Sequence, residues 1–92
     1  MLKLQTTSRF RKDFKRIKKR GRDVSLLREV LEKLCAKESL EARYKDHALI
    51  GFYIGFRECH IQPDWLLIYL IEHDILTLTL VDTGSHSDLF EM

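Results

Sequence analysis

Seven consecutive apolar residues, Trp65-Leu66-Leu67-Ile68-Tyr69-Leu70-Ile71, lie between two turn signals and constrain the fold of this chain more than any other feature. A helix wants a run of about ten residues or more, and a strand with one wet face alternates apolar with polar. A short unbroken run of this kind therefore reads as a central strand covered on both faces. Gln62-Pro63-Asp64 precedes it with turn chemistry, since proline presets its own backbone angle, and Glu72-His73-Asp74 follows as a second tight turn. Before the first turn, Ile54, Phe56, Glu58 and His60 alternate with Gly55, Arg57, Cys59 and Ile61, the period of a strand. After the second, Ile75 to Val81 is rich in Leu and Thr. Connections this short favour antiparallel hairpins.

A sheet covered on both faces needs helices, and the N-terminal third supplies them. Leu2 and Leu4 alternate with polar neighbours in a short opening strand. Thr7 or Ser8 can cap the helix that follows, because a side-chain oxygen satisfies an otherwise unpaired N–H of the first turn. Phe10, Phe14 and Ile17 form its apolar stripe, and Gly21 suits its stop. Asp23 or Ser25 opens a second helix with Leu27, Val30, Leu31 and Leu34 as its buried stripe. Residues 38–48 read as a polar connection and residues 82–90 as a turn and a short tail. The expected architecture is α+β, β-α-α-β-β-β, with two N-terminal helices packed on one antiparallel-rich sheet.

With 92 residues there is room for one core, so residues 1–92 are expected to form one domain. The longest apolar stretch is too short to cross a bilayer, and MLKLQTT lacks the pattern of a secretory signal; a cytoplasmic protein with no membrane partner is expected. Cys35 and Cys59 belong to no CxxC pair and are expected to stay free thiols. Residues 1–22 carry ten Lys/Arg against Asp13 alone, net +9, whereas residues 23–92 carry net −7. Such polarity points to a polyanion or an acidic protein as partner, and a well-solvated basic helix face accounts for it equally.

Of the four histidines, His47, His60 and His86 sit near element edges, and His73 lies in a turn among charges. Imidazole is the side chain whose ordinary pKa lies nearest neutrality, so several converging on one cleft would suit proton transfer; singly, such histidines are more often structural or exposed. Asp64, in its turn, would need a neighbouring histidine or burial to act as acid or base. Trp65 and Phe90 read first as core residues, with a flat surface for a stacked base as the other option. The histidine spacings match no zinc pattern, and no Walker loop, GxGxxG or GxSxG is present.

Four blocks carry a resemblance. Tyr44-Lys45-Asp46-His47-Ala48-Leu49, Phe56-Arg57-Glu58-Cys59-His60-Ile61, Pro63-Asp64-Trp65-Leu66-Leu67-Ile68-Tyr69 and Thr83-Gly84-Ser85-His86-Ser87-Asp88-Leu89-Phe90 together closely resemble the YafQ branch of the RelE/ParE toxin superfamily, across the whole chain. The resemblance implies an mRNA endonuclease acting in the ribosomal A site of the 30S subunit without metal or other cofactor, and an antitoxin that blocks it. By motif position it gives His47, His60, Asp64 and His86 acid–base and phosphate-contact roles, and Trp65 and Phe90 the positioning of substrate. Arg11, Lys12, Lys15, Lys18 and Lys19 on the first helix would grip ribosomal RNA through its phosphates.

One position departs from the family pattern. Where an arginine usually precedes Thr-Gly-Ser-His, this chain has Asp82, a carboxylate that would repel phosphate. Losing one such electrostatic donor costs about 2.7–4 kcal/mol, so catalysis is expected to weaken unless Arg57 on the neighbouring strand compensates. A catalytically attenuated member of the same fold, binding RNA or a partner, is the alternative this substitution raises. A gyrase-poisoning role on that fold would have no use for the histidine set.

Overall fold

The structure is a computed structural model that describes residues 1–90, except for the side chain of Phe90. Its sheet has five strands in the order β1-β5-β4-β3-β2. These are β1 (Lys3–Thr6), β2 (His47–Ala48), β3 (Arg57–Gln62), β4 (Trp65–Glu72) and β5 (Thr77–Gly84). β4 lies at the centre, antiparallel to β3 and β5, and β1 joins the far side of β5 in parallel, with Lys3 opposite Thr77. The apolar run thus becomes the central strand, with five successive buried residues from Trp65 to Tyr69.

Burial on both faces explains that run. Trp65, Leu67 and Tyr69 point into the larger core, against Phe10 and Ile17 of α1 (Ser8–Lys19) and Leu27, Val30 and Leu34 of α2 (Val24–Cys35). Leu66 and Ile68 point to the opposite face, where Leu89 of α3 (His86–Phe90) covers them, with Leu49, Tyr53, Phe56 and Val81 alongside. Thr7 caps α1 by accepting from the Phe10 N–H, Asp23 caps α2, and Gly21 takes a left-handed φ of 79° just past α1.

Three segments differ from the sequence expectation. β3 begins at Arg57 rather than Ile54: residues 51–53 form a 3-10 turn closed by Ile54 N–H to Gly51 C=O, and Gly55 has a φ of 94° that breaks the extended backbone. The polar connection contains a second 3-10 turn, Ala42–Tyr44, and the two-residue β2. Residues 82–90 are not a turn and tail. β5 continues to Gly84, because Asp82, Thr83 and Gly84 find ladder partners in Ile68, Leu67 and Leu66, and α3 follows. Gly84 is required there, since a Cβ would lie 2.8 Å from the Asp88 Cβ.

Cys59 is wholly buried, which pushes its thiol up to about 12, and Cys35 is half-buried; both are free. Among the described residues no helix is long and apolar enough to cross a membrane.

Candidate active site

Strand alternation builds one row of the site. Glu58 and His60 are the register partners of Ile68 and Leu66, so they stand on the sheet face away from α1 and α2, and His47 pairs with Glu58 from β2. His47 Nε2 lies 3.5 Å and His60 Nε2 3.9 Å from one Glu58 carboxylate oxygen. Glu58 is only 5% exposed, and its other oxygen is buried without a hydrogen-bond partner among the described residues. An ionised carboxylate in such a place depends on neighbouring N–H groups to be tolerable, so the two imidazoles and Glu58 form one electrostatic unit. Sequence reading passed over Glu58, whose only signal was its place between His47's partner strand and His60.

α3 and the β3–β4 turn bring the second half. Asp64 Oδ1 accepts from both the backbone N–H of His86 (3.1 Å) and its ring Nδ1–H (2.9 Å). The hydrogen bonds from His86 hold the Asp64 carboxyl below the usual range, and they direct the other ring nitrogen of His86 outward. The His60 and His86 rings stand 5.7 Å apart, centroid to centroid. His47 Nδ1–H donates to the Lys45 carbonyl at 2.7 Å, and the His60 Nδ1 faces the Pro63 carbonyl at 3.4 Å. α3 is itself tied down through Asp88, which accepts from Arg20 at 2.6 Å and from the Ser85 N–H at 2.9 Å. The Arg20 guanidinium holds the Asp88 carboxyl well below the usual carboxylate range.

The four residues expected to carry acid–base work therefore meet on one sheet face. Others do not. Trp65, expected to position substrate, is 0% exposed; its Nε1–H donates to Thr83 Oγ1, which in turn donates to the Leu66 carbonyl, so a base cannot reach the ring. Arg57 also requires correction. Its register partner is Tyr69 of the helix-side core, one residue out of phase with Glu58, and its guanidinium pairs with Asp46 at 3.1 Å, where the Tyr69 hydroxyl also donates. It stands across the sheet from the histidines and cannot compensate at the phosphate. The Phe90 side chain lies outside the described residues.

Asp82 does not face the histidines as a free carboxylate. It is 1% exposed, 3.0 Å from the Arg9 guanidinium, and hydrogen-bonded to Asp13 of α1. The expected repulsion of phosphate by an exposed charge at this position is not what the fold presents. The cations that share a cavity with His60 and His86 are instead Arg43 and Lys45, which sequence reading left unremarked.

The basic first helix separates into two sets. Arg9, Arg16 and Arg20 pair with Asp82, Asp13 and Asp88, and Arg11 donates to the Thr6 carbonyl and hydroxyl. Lys12, Lys15, Lys18 and Lys19 are exposed and make no ion pair among the described residues; Lys18 lies over the Phe14 ring. Among the described residues no group of three or more His, Cys, Asp and Glu side chains is arranged to hold a metal ion.

Imidazoles and carboxylates thus gather on the α3 side of a small α+β sheet, and the lysine-bearing helix α1 packs against its other face. The family model for the bacterial toxin of type II toxin–antitoxin systems, YafQ, matches residues 2–91, and the chain belongs to that family. The mRNA interferase toxin YafQ of Escherichia coli K12 is 35% identical over 88 residues, covering 95% of this chain and 94% of that protein. Among solved structures, a metal-bound toxin from Helicobacter pylori is 47% identical with a TM-score of 0.92, covering 98% of this chain and all of that one. The E. coli YafQ solved in complex with DinJ is 34% identical with a TM-score of 0.88, covering 98% of this chain and 99% of that one.

Proposed function

We propose that this chain is an mRNA endoribonuclease, the toxin of a type II toxin–antitoxin pair, which cuts message in the ribosomal A site in the cytoplasm and is silenced by a cognate antitoxin. The observation that carries the reading is the convergence of His47, Glu58, His60, Asp64 and His86 on one sheet face. Relatives named as mRNA interferase toxins, and the solved DinJ–YafQ complex, support the reaction class and the antitoxin.

The chemistry uses the RNA's own 2′-hydroxyl. Its oxygen attacks the adjacent phosphorus while a base on the protein takes the proton, the bond to the 5′-oxygen breaks, and an acid protonates that leaving oxygen. In this reading His60 and His86, whose rings stand 5.7 Å apart, exchange these protons. Glu58 sets the charge environment of His47 and His60 from below, and Asp64 fixes the ring of His86. Arg43 and Lys45 supply positive charge for the phosphate, in place of the family arginine that Asp82 replaces. The exposed lysines of α1 meet ribosomal RNA phosphates.

Induced expression of the chain is expected to stop translation. Purified protein is expected to cut mRNA on ribosomes, with EDTA present, and to leave naked RNA intact. Folded protein that cuts no message on ribosomes overturns the reading.

A further inference from the structure

β2 is only two residues long and pairs with Arg57 and Glu58 alone, so β3 from Cys59 to Gln62 has no strand on its outer edge. α2 and the 3-10 turn Ala42–Tyr44 flank that edge instead, and between them and the end of β3 lies a cavity of about 610 Å³. His60 and His86 are among the residues that line it. The volume falls within the range of about 300–1,000 Å³ usual for sites that hold a small molecule.

The lining is divided by chemistry. Leu26, Ile61 and Pro63 present apolar surface. Arg43 and Lys45 bring two cations; the Arg43 guanidinium lies 4.7 Å above the Tyr44 ring and 3.5 Å from the exposed Glu41 carboxylate, a solvent-screened pair that a phosphate can replace. Gln62 and Glu29 bring one amide and one carboxylate. The Gln62 amide has a defined direction: its carbonyl oxygen accepts from Arg22 at 2.8 Å, which leaves its NH2 group to donate. Arg22 is itself held by the Asp64 carbonyl at 3.4 Å and lies over the Trp65 ring. An apolar slot, a pair of cations and one fixed donor beside one acceptor suit a nucleotide, whose base has a flat face, a polar edge and an attached phosphate.

We propose that this cavity seats the nucleotide next to the scissile phosphate, with Gln62, oriented by Arg22, and Glu29 reading the edge of its base. The assignment rests on the ribonuclease reading for its place in the reaction. Glu29 can only accept: adenine, cytosine and guanine offer it an exocyclic amine, whereas uracil has carbonyl oxygens at its exocyclic positions, which a carboxylate repels, and only its ring N3–H to donate, so an amine-bearing base is favoured over uracil.

Two measurements test this. The first compares kcat/KM on ribosome-bound mRNAs that differ only at one nucleotide flanking the cut. The preference for an amine-bearing base over uracil is expected to fall about tenfold in Gln62→Leu and Glu29→Ala. Unchanged ratios in both variants, with far-UV circular dichroism intact, overturn the proposal. The second needs no cleavage: adenosine 3′-monophosphate and uridine 3′-monophosphate are titrated into the protein while the NMR methyl signals of Leu26 and Ile61 are followed. Adenosine 3′-monophosphate is expected to shift both signals at lower concentration than the uridine nucleotide, and Glu29→Ala to equalise the two. Signals that neither nucleotide moves overturn the cavity assignment even for an active nuclease. Protein that cuts no mRNA defeats the ribonuclease reading, and the titration still decides the cavity.

Discussion

Asp82 of β5 and Asp13 of α1 meet through a side-chain hydrogen bond, with Arg9 3.0 Å from the first and Arg16 3.6 Å from the second. Two carboxyls in a dry place cannot both ionise without penalty, and burial, then the contact with Asp13, raises the Asp82 carboxyl to about 7. One Asp82 oxygen has no partner among the described residues. The pair braces the strand end that leads through Gly84 into α3 and His86.

That raised pKa sets the sign of a pH effect. Asp82 is protonated more readily folded than unfolded, so its stabilising contribution is complete below about pH 4 and is lost as pH rises through about 7. Asp82→Asn lacks this loss. Urea unfolding at pH 5 and pH 8 is expected to show the stability difference moving in the variant's favour by about 1–3 kcal/mol. Parallel curves for the two proteins would remove the shared-proton account.

Asp88 holds α3 against α1 through Arg20 and caps the Ser85 N–H. Asp88→Ala is expected to cost about 1 kcal/mol of stability and to lower kcat about tenfold, because His86 rides on the loosened helix. Cleavage kinetics beside thermal unfolding check it; full activity in the variant would show that His86 does not depend on this tie.

Lysine and arginine on α1 are expected to separate by experiment. Lys15→Ala and Lys19→Ala should each reduce the slope of log affinity for ribosomes against log salt by about one, leaving the unfolding midpoint where it was. Arg16→Ala should lower the midpoint, since it leaves the buried Asp13 and the partly buried Asp88 each without one of their cations. Equal salt slopes across all three variants would contradict the division.

Trp65→Phe removes the bond to Thr83 and leaves space in the core. A loss of about 1–3 kcal/mol in stability is expected, with nucleotide affinity unchanged. Weaker nucleotide binding at equal stability would place the indole in contact with substrate.

Glu58→Gln keeps the shape but removes the charge between His47 and His60. A fall of about a hundredfold in kcat and a displaced pH–rate profile are expected, without loss of fold. An unmoved profile would make Glu58 a structural residue only.

Local pattern was enough for the order of most elements, the central strand and its two covered faces, and it narrowed each cap to two residues, of which the fold uses Thr7 rather than Ser8 and Asp23 rather than Ser25, because capping and periodicity are properties of adjacent residues. It misjudged residues 82–90, whose strand pairing depends on Leu66, Leu67 and Ile68 some sixteen residues away. Motif positions were enough to collect His47, His60, Asp64 and His86, yet they could not assign faces. Arg57 and Glu58 are neighbours in the chain and stand on opposite sides of the sheet, one against Asp46 and the other beneath the histidines. The charge count of the first helix likewise held no information on which cations are already spent, since Asp82 and Asp88 reach Arg9 and Arg20 only once β5 and α3 lie against α1. Which side chains a ligand can touch is settled by pairing between distant segments. Only the tertiary structure contains that.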